Sequence, residues 1–399
     1  MKKNCLGIII ADRDYKRFIN QNKILIKDLS KNFKKIYVIN VLHLKLRQKR
    51  IKILNENFFP NNFEINNFYT SKEFLNFFRD KKFVALQYLA KNPDNFKIFY
   101  LIKKAEIKNI MIMNLGNFGN RQTIEWGNLK SFKVSEHFYK KGFYYIFRIL
   151  TVLKIFPKID LLFESNTEII KSLNNGISRK IENFFPFFKI TYFRKIIKIN
   201  SVYFEFLKKK KKIKKKNYII FVDTPINHPD RIERGDSASK KEIIFYYKKL
   251  NKVLSHISFT FKKKIIICLH PNNKKEIKYF KNFQISKKTT MEEIPNCEIA
   301  IFSLSSAVLN AVILNKKIIN LESSHFGKYL NNFRKKYVDS LKLFSINIDK
   351  NINLNKKDCI KKMNYSINHY KNYINSKLCP DGNKPPNSKI IKIIKKKYF

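Results

Sequence analysis

The chain is short of the residues that build special-purpose sites. Its five cysteines, Cys5, Cys268, Cys297, Cys359 and Cys379, are odd in number and widely spaced, with no Cys-x-x-Cys among them. That pattern excludes a disulfide framework and a cysteine-ligated zinc site, and it fits a reducing cytoplasm. Of nine glycines, only Gly7 lies near the first predicted turn, so the Gly-x-Gly-x-x-Gly dinucleotide loop is absent. No uncharged apolar run reaches the roughly 18 residues of a membrane-spanning helix. The apolar start is cut short at Asp12-Arg13-Asp14 with no small-residue cleavage site after it, so it reads as a first strand and not as a leader. Acidic residues are scarce as well: 30 Asp and Glu stand against 83 Lys and Arg, a formal charge of +53.

Such a charge suits nucleic acid or an anionic membrane surface. Its distribution favours a plainer reading. Lys, Asn, Ile, Phe and Tyr dominate together, as A/T-rich codons would make them, and the basic residues run along the whole chain. No specific nucleic-acid partner is read from it; peripheral contact with anionic lipid at the inner face of the membrane stays open as a by-product. The hydrophobic fraction of 44% in 399 residues is enough for two globular domains.

Along the chain, strand and helix patterns alternate. Leu6 to Ala11 predicts a strand, Tyr15 to Asn32 a helix and Lys35 to Leu42 a strand. Further strands are predicted at Asn109 to Asn114 and Ile159 to Glu164, with an aromatic-rich helix from Ser135 to Phe156. The pattern loosens between about 185 and 216, where a lysine run reads as a solvated linker. From Asn217 the alternation is regular, with strands ending near Asp223, Leu269, Phe302, Leu321 and Ile348 and helices over Lys241 to Ile257, Lys274 to Lys281, Ser305 to Leu314 and Phe326 to Leu343. Short connections between strands and helices predict parallel, doubly wound α/β sheets. The expected division is 1–200 for an acceptor domain, 201–216 for a basic linker, 217–355 for a second domain, and 356–399 for a helical tail that can return to the first domain.

In an open parallel sheet, ligands bind at the carboxyl ends of the strands. Two polar signals fall there in the second domain. His270-Pro271 follows one apolar run, and Ser303, Ser305 and Ser306 follow another. An imidazole at such a place can donate to a phosphate oxygen, and hydroxyls before a helix can do the same. A structural histidine and ordinary helix-capping serines give the same pattern. The loop from Asp223 to Asp236 adds Asp223 and Asp230 as candidate catalytic carboxylates, and Arg231 and Arg234 as candidate phosphate partners. In the first domain, Asp12 is either a base for an acceptor hydroxyl or a cap for the next helix. Nothing calls for a metal or a permanently bound cofactor.

These motifs resemble bacterial surface-polysaccharide glycosyltransferases with two Rossmann-like domains (GT-B type), in particular the sialyltransferase and capsule-synthesis group. His270-Pro271 and Ser305-Ser306 match its His-Pro and Ser-Ser motifs in order and spacing. The resemblance covers roughly 217–323 and implies two Rossmann-like domains facing across a cleft. It also implies a nucleotide-sugar donor, CMP- or UDP-linked, held at those motifs, and a surface glycan or lipid-linked acceptor. The acidic-acidic-glycine motif that often supplies the base in that group is missing. A sugar-nucleotide epimerase or hydrolase of the same fold is the alternative enzyme reading. A non-catalytic basic protein that binds nucleic acid or membrane is the alternative outside enzymes.

Overall fold

The computed structural model describes residues 4–12, 14–46, 58–89, 95–113, 146–147, 149–175, 193–201, 217–227, 237–270, 274–382 and 384–399. The chain divides into two compact units. The first takes its described residues from the segments up to 202 and from Cys379–Phe399, and the second from 203–378.

Among the described residues, the first unit holds β1 (Asn4–Ile10), β2 (Ile36–Asn40), β3 (Phe63–Asn67), β4 (Lys82–Gln87), β5 (Lys108–Met113), β6 (Ile159–Glu164) and β7 (Phe193–Lys198). They form one sheet in the order β3-β2-β1-β4-β5-β6-β7, and every pairing is parallel. Every residue of β2 and of β6 is buried. Helices cover both faces of a doubly wound sheet, so central strands read as unbroken apolar runs and not as alternating ones. Gly7 marks a close approach in the middle of the sheet: a Cβ there would lie 2.7 Å from Ile39 Cδ1.

The second unit holds β8 (Ile219–Val222), β9 (Ile265–Cys268), β10 (Gln284–Ile285), β11 (Ile299–Phe302), β12 (Lys317–Glu322) and β13 (Phe344–Asn347). Their order is β10-β9-β8-β11-β12-β13, again all parallel. In both units the order reverses beside the first strand, between β1 and β4 and between β8 and β11. The fold class is therefore α/β with two Rossmann-like domains.

Helix ends follow local chemistry. The helix Lys240–Phe261 opens on a capping box, in which Ser239 accepts from the Glu242 amide and Glu242 reaches back to the Ser239 amide. It closes at Lys262 in the left-handed conformation, φ 51. Two expectations from sequence change. Lys274–Phe280 is a 3-10 helix, not an α-helix. The helix after β11 spans only Val308–Ile313, because residues 305–307 form a tighter turn whose carbonyls take the amides of Val308, Leu309 and Asn310 three residues on.

The helices beyond residue 355 divide between the units. Lys356–Tyr373 buries Cys359, Met363 and Tyr370 in the second unit's core. Pro386–Tyr398 buries Ile390, Ile391 and Ile394 against Leu25 and Leu29 of the helix Tyr15–Asn32. Asn200, just after β7, fixes the approach to that last helix. Its Nδ2 donates to the carbonyls of Gly382 at 2.6 Å and Lys384 at 2.8 Å, and its Oδ1 accepts the Asp381 amide at 2.8 Å.

Candidate functional site

The reversal between β8 and β11 positions the candidate site of the second unit. Val222 lies in register with Cys268 on one side and with Phe302 on the other. The next residues of all three strands therefore emerge along one edge: Asp223 after β8, Leu269 and His270 after β9, and Ser303 after β11. The sheet brings together Asp223, His270 and the serine loop. Pro271, Asp230, Arg231 and Arg234 lie outside the described residues.

The residues on this edge sit at different depths. Asp223 is buried and its amide donates to the Cys268 carbonyl at 3.0 Å, so the loop after β8 leaves pinned to β9. His270 is half-buried. Ser303 is buried, its carbonyl accepts the Tyr337 hydroxyl at 3.1 Å, and its own Oγ has no hydrogen-bond partner among the described residues. Ser305 is half-buried and accepts the Ala307 amide at 3.3 Å, whereas Ser306 is exposed. Ser306 thus offers the accessible hydroxyl, and Ser305 shapes the turn. The buried Thr224 hydroxyl donates to the Leu304 carbonyl and ties the two loops together across the reversal. With only six residues in the helix that follows, a helix-terminal amide cradle contributes little here.

Farther along the same edge, Asp349 knots the loops after β12 and β13. It accepts the Ser324 amide at 2.7 Å, the Ser324 hydroxyl at 2.9 Å and Lys249 Nζ at 3.2 Å. Burial works to raise its pKa, but these donors outweigh it and hold the carboxyl below its ordinary value. Burial pushes the thiol of Cys268, at the end of β9, up to about 12, and likewise that of Cys297, just before β11 at the opposite end of the sheet, so both are protonated, unreactive core groups.

In the first unit, Asp12 follows β1 at the other reversal. Its Oδ1 accepts the Asp14 amide at 3.0 Å, just before the helix Tyr15–Asn32, which is a turn-and-cap role. Its carbonyl accepts Asn40 Nδ2 at 2.9 Å, and that Nδ2 also lies 2.9 Å from the Tyr15 hydroxyl. Asp12-Arg13-Asp14 does read Asp-x-Asp, but among the described residues no group of three His, Cys, Asp or Glu side chains is placed to hold a metal.

The sequence reading missed Glu164. It closes β6 and is buried, and its Oε1 accepts the amides of Ser165 at 2.7 Å and Asn166 at 2.8 Å. Burial pushes its carboxyl up to about 7 against those two donors, which lower it. The available signal was an acid that ends an apolar run at a strand's carboxyl end.

No protein-family model matches this chain, and no curated protein matches it. Solved structures do. A wall teichoic acid polymerase, TagF, soaked with CDPG, shares 14% identity over 99% of this chain and 88% of that one, with a TM-score of 0.53. The UDP-GlcNAc 2-epimerase of Methanocaldococcus jannaschii shares 16% over 99% of each chain, with a TM-score of 0.50. A UDP-N-acetylglucosamine 2-epimerase assigned in Listeria monocytogenes shares 9% over 99% and 96%, with a TM-score of 0.50. At these identities the likeness shows the fold, and the fold is of the GT-B type.

Proposed function

We propose that this chain is a glycosyltransferase-type enzyme. In this reading it moves a sugar from a CMP-, CDP- or UDP-linked donor to a glycan or lipid-linked acceptor. The observation that carries the reading is the register row at the second reversal, which sets Asp223, His270 and the Ser303–Ser306 loop on one sheet edge. That edge is where doubly wound sheets bind nucleotides. The fold likeness to a polymerase soaked with CDPG supports the donor class.

In this reading the second domain holds the donor. The His270 imidazole and the Ser305 and Ser306 hydroxyls donate to the phosphate oxygens, and Arg231 and Arg234 are their cationic partners. The bond from the transferred carbon to the phosphate oxygen breaks, and the donors on this edge hold the charge left on the nucleotide. The acceptor oxygen forms the new bond, and its proton passes to a carboxylate, for which Asp12, Asp223 and Asp230 are the candidates.

The likeness to two 2-epimerases favours a second reading with the same donor edge and no acceptor. One experiment tests the first reading and separates the second. Thermal unfolding is followed with CMP-, CDP-, UDP- and GDP-linked donors and free nucleotides. At about one hundred times Kd, a bound donor adds about 2.7 kcal/mol. His270→Ala and Ser306→Ala lose that shift while folding normally. Absence of a shift with every nucleotide sinks both readings. Conversion of a UDP-sugar to its epimer with no acceptor present selects the second.

A further inference from the structure

One face of the first unit is apolar where it meets solvent. The helical residues 146–147 and 149–152 pack inward through Phe147, which is buried. Phe147 and Phe156 stack edge-on or tilted against the helix Phe96–Lys104, at 4.8 Å for Phe99–Phe147 and 5.2 Å for Phe96–Phe156. The Thr151 hydroxyl donates to the Phe147 carbonyl at 2.8 Å, and the segment closes at Lys154 with φ 60. The segment is therefore fixed in place by its aromatic side. Outward, Ile146, Ile149, Leu153 and Ile155 are 42%, 57%, 61% and 40% exposed. Ile146, Ile149 and Leu153 fall at i, i+3 and i+7, a single helical face.

An isolated exposed aliphatic side chain is ordinary, but three on one helical face, with Ile155 just past its end, mark a surface that meets something. Its surroundings define the partner. The adjoining helix exposes Tyr100, Lys97, Lys103 and Lys104, and Lys154 is exposed at the segment's end. Neither 95–104 nor 146–156 contains an acidic residue. A second copy of this face would set lysines against lysines across a two-fold axis, whereas an anionic surface complements them. Duplex nucleic acid satisfies lysines but offers aliphatic side chains little to bury in.

We propose that this face docks on an anionic phospholipid bilayer. The four aliphatic side chains enter the boundary between headgroups and acyl chains, Tyr100 lies at headgroup depth, and the lysines meet lipid phosphates. The proposal stands apart from the donor site and does not depend on it.

The test is sedimentation of the full chain with vesicles of phosphatidylcholine containing phosphatidylglycerol. The chain is expected to co-sediment. Ile149→Glu combined with Leu153→Glu is expected to weaken binding about tenfold or more, as loss of inserted apolar surface requires. Lys357→Glu combined with Lys361→Glu, on the exposed side of the helix Lys356–Tyr373, is expected to change it by less than about twofold. A blue shift from an environment-sensitive dye on Leu153→Cys when vesicles are added reads the same insertion without charge in the face. The proposal is overturned if the chain does not co-sediment, or if both paired variants weaken binding equally, which would make the whole-chain charge responsible. It is also overturned if the dye stays unshifted, or if the Ile149/Leu153 pair instead abolishes self-association in lipid-free solution.

Discussion

The Thr224 hydroxyl donates to the Leu304 carbonyl, and both residues are buried, so one hydrogen bond holds the loop after β8 to the loop after β11 at the point where the strand order reverses. The bond fixes the spacing between Asp223 and the serine loop. Thr224→Val keeps the shape and leaves the Leu304 carbonyl without its donor. The expected cost is about 1–3 kcal/mol in urea unfolding, with weaker nucleotide binding, and Thr224→Ser restores both. A variant as stable as the parent would remove this bond from the account of the site.

Glu164 sets a pH dependence of the opposite sense to most carboxylates. Its folded pKa of about 7 lies above the ordinary 4.5, so the folded chain holds its proton longer than the unfolded one. The stability it contributes is complete below about 4.5 and is lost as pH rises through about 7. Glu164→Gln keeps an oxygen for the Ser165 and Asn166 amides and removes the titration. Chemical denaturation should show the variant more stable by about 1–3 kcal/mol near pH 8 and equal to the parent near pH 4. A difference that is flat with pH would count against the buried acid.

Asn200 holds the segment that leads into the last helix. Asn200→Ala removes three hydrogen bonds to residues 381–384 and should cost about 2–4 kcal/mol. The more specific readout is limited proteolysis with an Asp-directed endoproteinase, in which cleavage before Asp381, whose amide Asn200 holds at 2.8 Å, should accelerate in the variant. Unchanged cleavage would mean that the buried isoleucines of the helix Pro386–Tyr398 suffice to hold it.

Lys316 works at the amino end of the second sheet, away from the candidate site. Its buried Nζ donates to the carbonyls of Pro295 at 2.7 Å and Cys297 at 2.6 Å. Lys316→Met preserves bulk and abandons both acceptors, for an expected loss of about 2–4 kcal/mol measured by unfolding. Nucleotide affinity should not change. A loss of affinity at equal stability would place this lysine in the binding machinery.

Much of this architecture is legible in the sequence because the inner strands are apolar over most of their length. The predicted strand Ile159 to Glu164 and the bounds of the predicted helix Tyr15 to Asn32 match the structure, and that helix is kinked at Asn22, φ −115 and ψ 16. Phe83 to Leu89 reads as either a strand or a short helix and forms β4; the strands that escaped altogether are those at sheet edges. β3 reads Phe-Glu-Ile-Asn-Asn and buries fully only Phe63, and β7 carries three cationic residues among its six. An edge strand must stay partly polar, so its pattern dissolves into the background of a lysine- and asparagine-rich chain. The site divides in the same way. His270 and the serines are visible because each interrupts an apolar run. The Thr224–Leu304 bond joins residues 80 positions apart, and the titration of Glu164 follows from what folds over it, so neither has a local signature.

The return of Cys379–Phe399 to the first unit imposes an order on biosynthesis. The hydrophobic side of the helix Tyr15–Asn32 is finished by Ile390, Ile391 and Ile394, and residues 203–378 must be translated before those three exist. The second unit can complete its sheet while the first still exposes that groove. The unit made first is therefore the last to close, and the nascent chain carries an unfilled hydrophobic slot through most of its synthesis, the kind of surface that chaperones bind.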